Sequence, residues 1–512
     1  MSNSVWKSPR TSDCLPLLET WLTSCCAMHK KCERSSEPPS RLIFVGDGQL
    51  RLQLDTSQIG CTRYATLSHC WGKTNFEVLT SRNIQNFTRQ IPTSALSRTF
   101  QDAIFVAREL KINWVWIDSL CIIQNDATDW EVESSKMASI YGGATLNIAA
   151  SSAIDGHGGL FFDRETHWQC QIELQLGGKT AGYSCIADHA HEVLVQQSIL
   201  ASRAWTLQER LLPARTVFFT KNQVFWECQQ GRACELFPTK SPYNMHMWHE
   251  LETPRVRRLD WEHIIENYSR TKLTNPTDKL VAISGLVRAI QLQTRDEYVA
   301  GLWRSTLLCD LCWRISGVSS KIPLAPIPYR SPSWSWASLD NEVAFLIRTN
   351  HNQATRLAKI LSVSITPSSG DILGAIKDAT LCISSGFLIR VALNEIKKDG
   401  KSSDWRMIAG EAEKGLLSGL SDVYIDRCDQ QLSHVWFVAL CQWGSWIYGL
   451  VLESISDTRG RYRRVGLFSY LDKDFTRIKA TFNSEVCLPQ KNDCLSISSL
   501  GNGKKEYAIE LV

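Results

Sequence analysis

The sequence has no run of about eighteen apolar residues, so we expect no transmembrane helix. The segment from Met1 to Pro16 lacks the apolar stretch of a secretory signal. An excess of one charge is also missing, since 56 Lys and Arg residues face 52 Asp and Glu residues. Nucleic-acid binders concentrate basic residues on one face, and this balance does not indicate one. We therefore expect a cytoplasmic protein with no nucleic-acid partner and no membrane span.

Tryptophan is the residue type that stands out. At 512 residues the chain exceeds what one hydrophobic core usually serves, which predicts several domains. Many of the 18 cysteines fall inside apolar runs and are expected to be reduced core thiols. The 19 tryptophans are well above usual usage, and a buried indole N–H needs a partner. Segments where Trp recurs beside polar residues are therefore candidates for a shaped site.

The pattern of the chain divides it into four segments. Residues 1–60 predict an amphipathic helix followed by a hairpin. Residues 61–240 alternate strands with helices, which is typical of βαβ units and a mostly parallel sheet. Residues 241–340 predict a helical middle region closely associated with that sheet. Residues 341–512 predict a β-rich C-terminal part of unknown role.

Within residues 61–240 the apolar periodicity predicts individual elements. Strands are expected at residues 64–69, 113–123, 144–150, 216–220 and 224–226. Helices are expected at residues 99–110, 126–141 and 202–212, and the middle region adds helices at 261–270, 277–289 and 298–315.

The first Trp-bearing block, residues 64–72, is a strand that ends in Ser68, His69 and Trp71. Polar groups at the carboxyl edge of an open α/β sheet lie where ligands bind. Adjacent strand residues point to opposite faces, which disfavours a nucleophilic dyad of Ser68 and His69. The structural alternative is a strand end whose histidine is hydrogen-bonded in the core.

The second block, residues 114–126, contains Asp118 inside an apolar run. A buried carboxylate is costly unless it is paired or hydrogen-bonded. Asp118 could cap a loop, pair with Arg203 or face a ligand, and the structural alternative is a hydrogen-bonding hub. Gln124 and Asp126 mark the exit into the next helix.

The third block, residues 201–212, predicts a helix with Ser202 as its N-cap. Trp205 and Glu209 are four residues apart and share a helix face, with Arg203 one turn back as a possible counter-charge. Alone this signal is weak, because an exposed helical glutamate is common. Glu209 could equally pair with one of three arginines, Arg98, Arg210 or Arg215.

Taken in order, the three blocks closely resemble the signature segments of the heterokaryon-incompatibility (HET) domain of filamentous fungi. Residues 140–150, 277–286 and 333–338 resemble segments that accompany this domain. The resemblance is strong over residues 64–227 and extends loosely to about residue 339. It implies a role in self/non-self recognition and programmed cell death. It also implies a doubly wound α/β fold of the TIR and flavodoxin-like type.

The resemblance to TIR domains also implies a chemistry. Some TIR domains cleave NAD at the nicotinamide–ribose bond with a glutamate on a helix, and residues 202–209 look like that stretch with one residue inserted. Glu209 would then be the catalytic residue of an NAD glycohydrolase, and NAD its substrate. No G-x-G-x-x-G fingerprint is present, and no cofactor is firmly implied. The residues expected to bind substrate are Ser68, His69, Trp71, Asp118, Gln124, Arg203 and Trp205.

The competing hypothesis is a non-enzymatic signalling module that acts through self-association or through recruitment of a protein partner. It needs no substrate, and the β-rich C-terminal part would supply the contacts.

Three further patterns carry weaker signals. Cys25, His29 and Cys32 have zinc-ligand spacing, with Cys14 or Cys70 as a possible fourth ligand. Such residues more often line the core face of a helix, so no metal site is predicted. The C-x-x-C at residues 309–312 has no second pair and indicates neither redox nor metal chemistry. The basic run at residues 459–464 could touch an anionic surface, but a solvated hairpin turn is favoured.

Overall fold

The structure is a computed structural model. It describes residues 11–32, 38–57, 60, 63–73, 76–163, 169–176, 179–186, 190–239, 261–316, 328–347, 353–368, 370–398, 405–409, 420–426, 434–455, 458–471, 489–499 and 505–512. The chain divides into two compact units, residues 1–257 with 283–289 (unit 1) and residues 258–282 with 290–512 (unit 2). The division into four segments stays a prediction. No helix among the described residues is both long and apolar enough to span a bilayer.

Unit 1 is an α/β unit. Its helices are α1 (Leu15–Met28), α2 (Ile84–Arg89), α3 (Arg98–Glu109), α4 (Asp118–Cys121), α5 (Ala127–Ser135), α6 (Met137–Gly143) and α7 (Trp205–Leu211). Its strands are β1 (Leu42–Phe44), β2 (Arg51–Gln53), β3 (Ala65–Ser68), β4 (Trp114–Trp116), β5 (Leu146–Ala149), β6 (Gln169–Leu176), β7 (Lys179–Ile186), β8 (Arg215–Phe219), β9 (Val224–Cys228) and β10 (Arg232–Cys234).

Unit 2 is rich in strands. Its helices are α8 (Trp261–Ser269) and α10 (Leu307–Asp310), and α9 (Ser284–Thr294) begins in unit 1. Its strands are β11 (Tyr298–Val299), β12 (Leu302–Trp303), β13 (Trp313–Ile315), β14 (Val343–Phe345), β15 (Thr355–Arg356), β16 (Ala358–Pro367), β17 (Ile376–Ser385), β18 (Leu388–Lys398), β19 (Trp405–Ala409), β20 (Leu420–Ile425), β21 (His434–Trp443), β22 (Trp446–Ser454), β23 (Arg461–Leu471), β24 (Ser496–Ser499) and β25 (Lys505–Leu511). These strands confirm the β-rich C-terminal part.

The main sheet of unit 1 has eight strands in the order β10-β9-β8-β5-β3-β4-β1-β2. Its four central strands, β8, β5, β3 and β4, are parallel to one another. Both flanks are antiparallel. The sheet is therefore mixed, and the prediction of a mostly parallel sheet is wrong. Short connections after β1, β8 and β9 make antiparallel neighbours, which strand periodicity alone does not reveal.

Burial on both faces explains why the sequences of the central strands are nearly continuous apolar runs. Every residue of β3, β5 and β8 is buried, as expected for strands covered on both faces. The parallel register pairs Ser68 with Ala149 and Thr66 with both Asn147 and Trp116. The carboxyl ends of β3, β4 and β5 therefore lie at the same edge of the sheet.

Two predicted elements are interrupted in the structure. The strand expected over residues 113–123 is the short β4 followed by α4, because the Asp118 carboxylate accepts the Ser119 N–H at 2.7 Å and turns the chain. The helix expected over residues 126–141 is split into α5 and α6 at Lys136.

Other boundaries differ as well. Ser202 is not the N-cap of α7, since it lies in a 3-10 turn (Leu200–Ser202) and the helix begins at Trp205. The helix expected over residues 298–315 is wrong, because that segment forms β11, β12, α10 and β13. The spacing of the apolar residues in this segment fits a helix, but it fits short buried strands equally well. Apolar periodicity therefore could not distinguish helix from strand here.

The basic run at residues 459–464 is not a solvated turn throughout. Arg464 is fully buried in β23, where its guanidinium pairs with Asp426 at 2.6 Å. It also donates to the Leu311 carbonyl at 2.7 Å and lies 3.5 Å from the centre of the Trp313 ring. Arg464 therefore links the large sheet of unit 2 to the segment around β13.

We predict that Arg464→Ala destabilises unit 2 strongly. Removing one member of a buried ion pair leaves Asp426 charged and unpaired, at a cost of about 3–5 kcal/mol. The neighbouring Arg463, which pairs with Glu453 at 2.8 Å and is 31% exposed, provides the matched control. Arg463→Ala should cost at most about 1 kcal/mol in denaturant unfolding. Equal losses for the two variants would contradict this account.

Candidate active site

The carboxyl edge of the parallel strands gathers most of the predicted site residues. Ser68 ends β3, Asp118 follows β4, and Glu209 reaches the same place from α7. The Ser68 hydroxyl lies beside the Glu209 carboxyl group and lowers its pKa, and the charges of Asp118 and Arg203 also act on Glu209. The three Trp-bearing blocks, far apart in sequence, therefore meet at one site.

Glu209 is the buried centre of this site, with 7% of the residue exposed. Burial raises the pKa of Glu209 to about 7, with the charge of Asp118 adding to the rise and hydrogen bonds from Ser68 and Tyr141 opposing it. The carboxyl group is therefore about half ionised near neutral pH. Its environment suits a group that changes its protonation state in that range.

Asn147 of β5 holds the elements around Glu209 in place. Its Oδ1 accepts hydrogen bonds from Thr66 at 2.9 Å and Ser68 at 3.2 Å, and its Nδ2 donates to the Glu209 backbone carbonyl at 3.1 Å. A serine hydroxyl has a single proton. Ser68 can donate that proton to Asn147 while protonated Glu209 donates to Ser68, or it can donate to the Glu209 carboxylate.

Asp118 forms the half-buried rim of the site, and its side chain is 27% exposed. Its Oδ2 accepts from the Trp71 indole N–H at 3.0 Å, so the first block is joined directly to the second. Its Oδ1 accepts from the Ser119 N–H within the first turn of α4.

His69 is held neutral. Burial lowers the pKa of His69 to about 4, although the Asp118 charge, 3.9 Å from Nδ1, acts in the opposite direction. Its ring packs edge-on against Phe76 and Phe100. Ser68 and His69 thus have different partners, in keeping with their opposite directions on the strand. Among the described residues, the His69 Nε2 atom has no hydrogen-bond partner.

Arg203 faces the site and also fixes the strand end, because its Nη1 donates to the His69 backbone carbonyl. The three arginines considered as partners of Glu209 are engaged elsewhere. Arg210 pairs with Glu227 at 3.0 Å, Arg98 lies 4.0 Å from Asp102, and Arg215 donates to Cys25.

Two predicted binding residues have structural partners. Gln124 donates to the backbone carbonyls of Asp118 and Ile122, at 3.2 and 3.0 Å, and so stabilises the loop after β4. Trp205 packs edge-on against Trp130, with 6.2 Å between the ring centres. That these two side chains bind substrate stays a prediction.

Sequence reasoning missed Tyr141 and Asn147. The Tyr141 hydroxyl has one proton, which it can donate to the Leu67 carbonyl at 3.4 Å or to the ionised Glu209 carboxylate, and burial raises its own pKa well above the usual value. Asn147 had a signal, since it is a polar residue inside a fully buried strand and such residues need partners. Tyr141 had none, because a buried tyrosine in a helix is ordinary.

The geometry defines a class of protein: an α/β domain with a buried carboxyl group and a second carboxylate at the carboxyl edge of parallel strands. Residues 64–209 match the family described as "Heterokaryon incompatibility protein (HET)". The segment of residues 64–209 is therefore identified as a heterokaryon-incompatibility domain. The match ends at Glu209, the residue at the centre of the site. Comparisons with curated proteins and with solved structures give no match.

We predict that Glu209 makes folding stability depend on pH. The rise of its pKa from 4.5 to about 7 means that the folded state binds the proton more tightly. Its stabilising contribution is complete below pH 4.5 and is lost as pH rises through about 7, a change of about 3 kcal/mol. Glu209→Gln should abolish this part of the pH dependence in denaturant unfolding at pH 5 and 8.

The control for that experiment is Glu131→Gln, at an exposed position on α5. It should keep the pH dependence of the wild type. If the wild type and Glu209→Gln lose the same stability between pH 5 and 8, Glu209 does not carry the raised pKa.

Proposed function

We propose that the HET domain hydrolyses NAD at the nicotinamide–ribose bond, and that this reaction serves fungal self/non-self recognition and programmed cell death. The observation that carries the proposal is the Glu209 carboxyl group, buried beside Asp118 with a pKa of about 7. Enzymes that cleave glycosidic bonds usually use two carboxyl groups that lie in different environments.

The chemistry needs little more than a well-placed negative charge. The bond between C1′ and the pyridinium nitrogen breaks, and the bonding electrons leave with nicotinamide, which becomes neutral. Water then adds to the positively charged ribose and releases one proton, giving ADP-ribose. Ionised Glu209 would stabilise the ribose cation or take the proton from water, and no acid is needed for the leaving group.

Strand order adds support for a doubly wound, TIR-like domain. The chain runs from β3 to β4 on one side and then returns to β5 on the other side of β3. Ligands of open α/β sheets bind where the strand order reverses in this way, outside the carboxyl ends. Ser68 and Asn147 lie on the two strands that flank this point.

The alternative is a signalling module without catalysis. It is favoured by the small exposure of Glu209 and by the structural bonds of Gln124 and Trp205. In that case the network around Glu209 stabilises the domain, and self-association or a protein partner transmits the signal.

We expect purified full-length protein to release nicotinamide from NAD when it is brought together by a fused dimerisation tag. Glu209→Gln should reduce the rate by at least about 100-fold, because the charge that stabilises the ribose cation is lost. Glu131→Gln should keep the wild-type rate. The absence of nicotinamide release by the clustered wild type would refute NAD hydrolysis and leave the signalling module.

We expect the rate to rise with pH through about 7, since the ionised form of Glu209 is the active one. Tyr141→Phe removes a hydrogen bond that lowers the pKa of Glu209, so the midpoint of the profile should move to higher pH. If the midpoint of the pH–rate profile is the same in Tyr141→Phe and the wild type, Glu209 is not the titrating group.

Expression in a filamentous fungus tests the biological part of the proposal. The wild type and Glu131→Gln should arrest growth, and Glu209→Gln should not when its protein level is equal. If all three proteins arrest growth, cell death does not require NAD hydrolysis by Glu209.

A further inference from the structure

A second polar cluster lies in unit 1, away from the site at the carboxyl edge. It consists of Cys25, His29, Cys32 and Cys228, whose ligand atoms all lie within 4.8 Å of one another. The first three come from α1 and the turn after it, and Cys228 ends β9. All three cysteines are buried, and the His29 Nδ1 lies 3.3 Å from the Cys228 sulfur.

The residue types and their number are those of a closed zinc site. Structural zinc takes four tetrahedral ligands, and three cysteines with one histidine are among its usual sets. The fourth donor is Cys228, whereas the sequence pattern suggested Cys14 or Cys70. Cys228 lies 199 residues from His29, so spacing along the chain could not identify it.

Arg215 gives an independent reason to expect negative charge in this cluster. Its side chain is buried, and it donates to the Cys25 sulfur at 3.1 Å and to the Cys32 carbonyl at 2.9 Å. No carboxylate among the described residues pairs with it. A buried guanidinium is costly without a neighbouring negative charge. Three thiolates on one Zn²⁺ carry a net charge of −1, which balances it.

We propose that Cys25, His29, Cys32 and Cys228 bind one structural zinc ion. The ion would fasten α1 and its following turn to the sheet. Cys228 pairs with Arg215 at the beginning of β8, so the zinc site lies at the amino edge of the parallel strands. It is thus opposite to the edge that holds Glu209, and its role is stability rather than catalysis. The proposal does not depend on NAD hydrolysis.

The test uses the full-length protein produced with zinc in the medium and purified under reducing conditions. We expect one zinc per chain by elemental analysis. Cys228→Ser should weaken zinc binding by at least about 10-fold, as the loss of a ligand requires. Cys26→Ser is the matched control, because Cys26 is exposed, adjacent to Cys25 and outside the cluster. It should bind zinc as the wild type does.

Cobalt substitution of the wild type tests metal binding by this cluster even if Cys228→Ser does not fold. Co²⁺ in this site should show thiolate charge-transfer bands and the intense visible bands of tetrahedral coordination, and zinc should displace it. Zinc removal by a chelator should lower the melting temperature. The proposal is wrong if the wild type binds neither metal, if Cys228→Ser binds zinc normally, or if two of the cysteines form a disulfide in the reduced preparation.

Discussion

The parallel pairing of β3 with both β4 and β5 is the constraint on which the candidate site depends. It fixes Ser68, Asp118 and Asn147 at one edge of the sheet, although they come from different parts of the chain. A shift of the register by one residue would turn Ser68 to the opposite face and separate it from Asn147. The hydrogen bonds of Asn147 to Thr66 and Ser68 therefore require this register and stabilise it.

Burial of the Glu209 carboxyl group connects stability with function. A protein selected only for stability would gain from an apolar residue or an amide there, since ionising a buried carboxyl group opposes folding. The surrounding donors lower this cost without removing it, so the pKa remains near 7. Such a destabilising group is expected where a protein uses the charge.

The two edges of the unit 1 sheet have different characters. At the carboxyl edge, polar side chains converge on a group that can change its charge near neutral pH. At the amino edge, the buried Arg215 guanidinium donates to the Cys25 sulfur and favours negative charge in the cysteine cluster. In unit 2 the buried Arg464 guanidinium also needs a neighbouring negative charge, and the Asp426 carboxylate supplies it. Arg464 thus has a carboxylate as its negative partner, and Arg215 lies beside a thiol that can become a thiolate.

The sequence by itself determined the α/β class, the β-rich C-terminal part and the heterokaryon-incompatibility domain at residues 64–209, because these depend on apolar periodicity and on local motifs. It also selected Ser68 and Asp118, whose polar side chains stand out within or beside apolar runs, whereas Glu209 was selected through the resemblance to TIR domains. Only the tertiary structure decided the mixed sheet, the contacts of Tyr141 and Asn147, and the place of Cys228 beside Cys25, His29 and Cys32. These depend on contacts between residues far apart in the chain, and local pattern carries no information on which distant strands become neighbours.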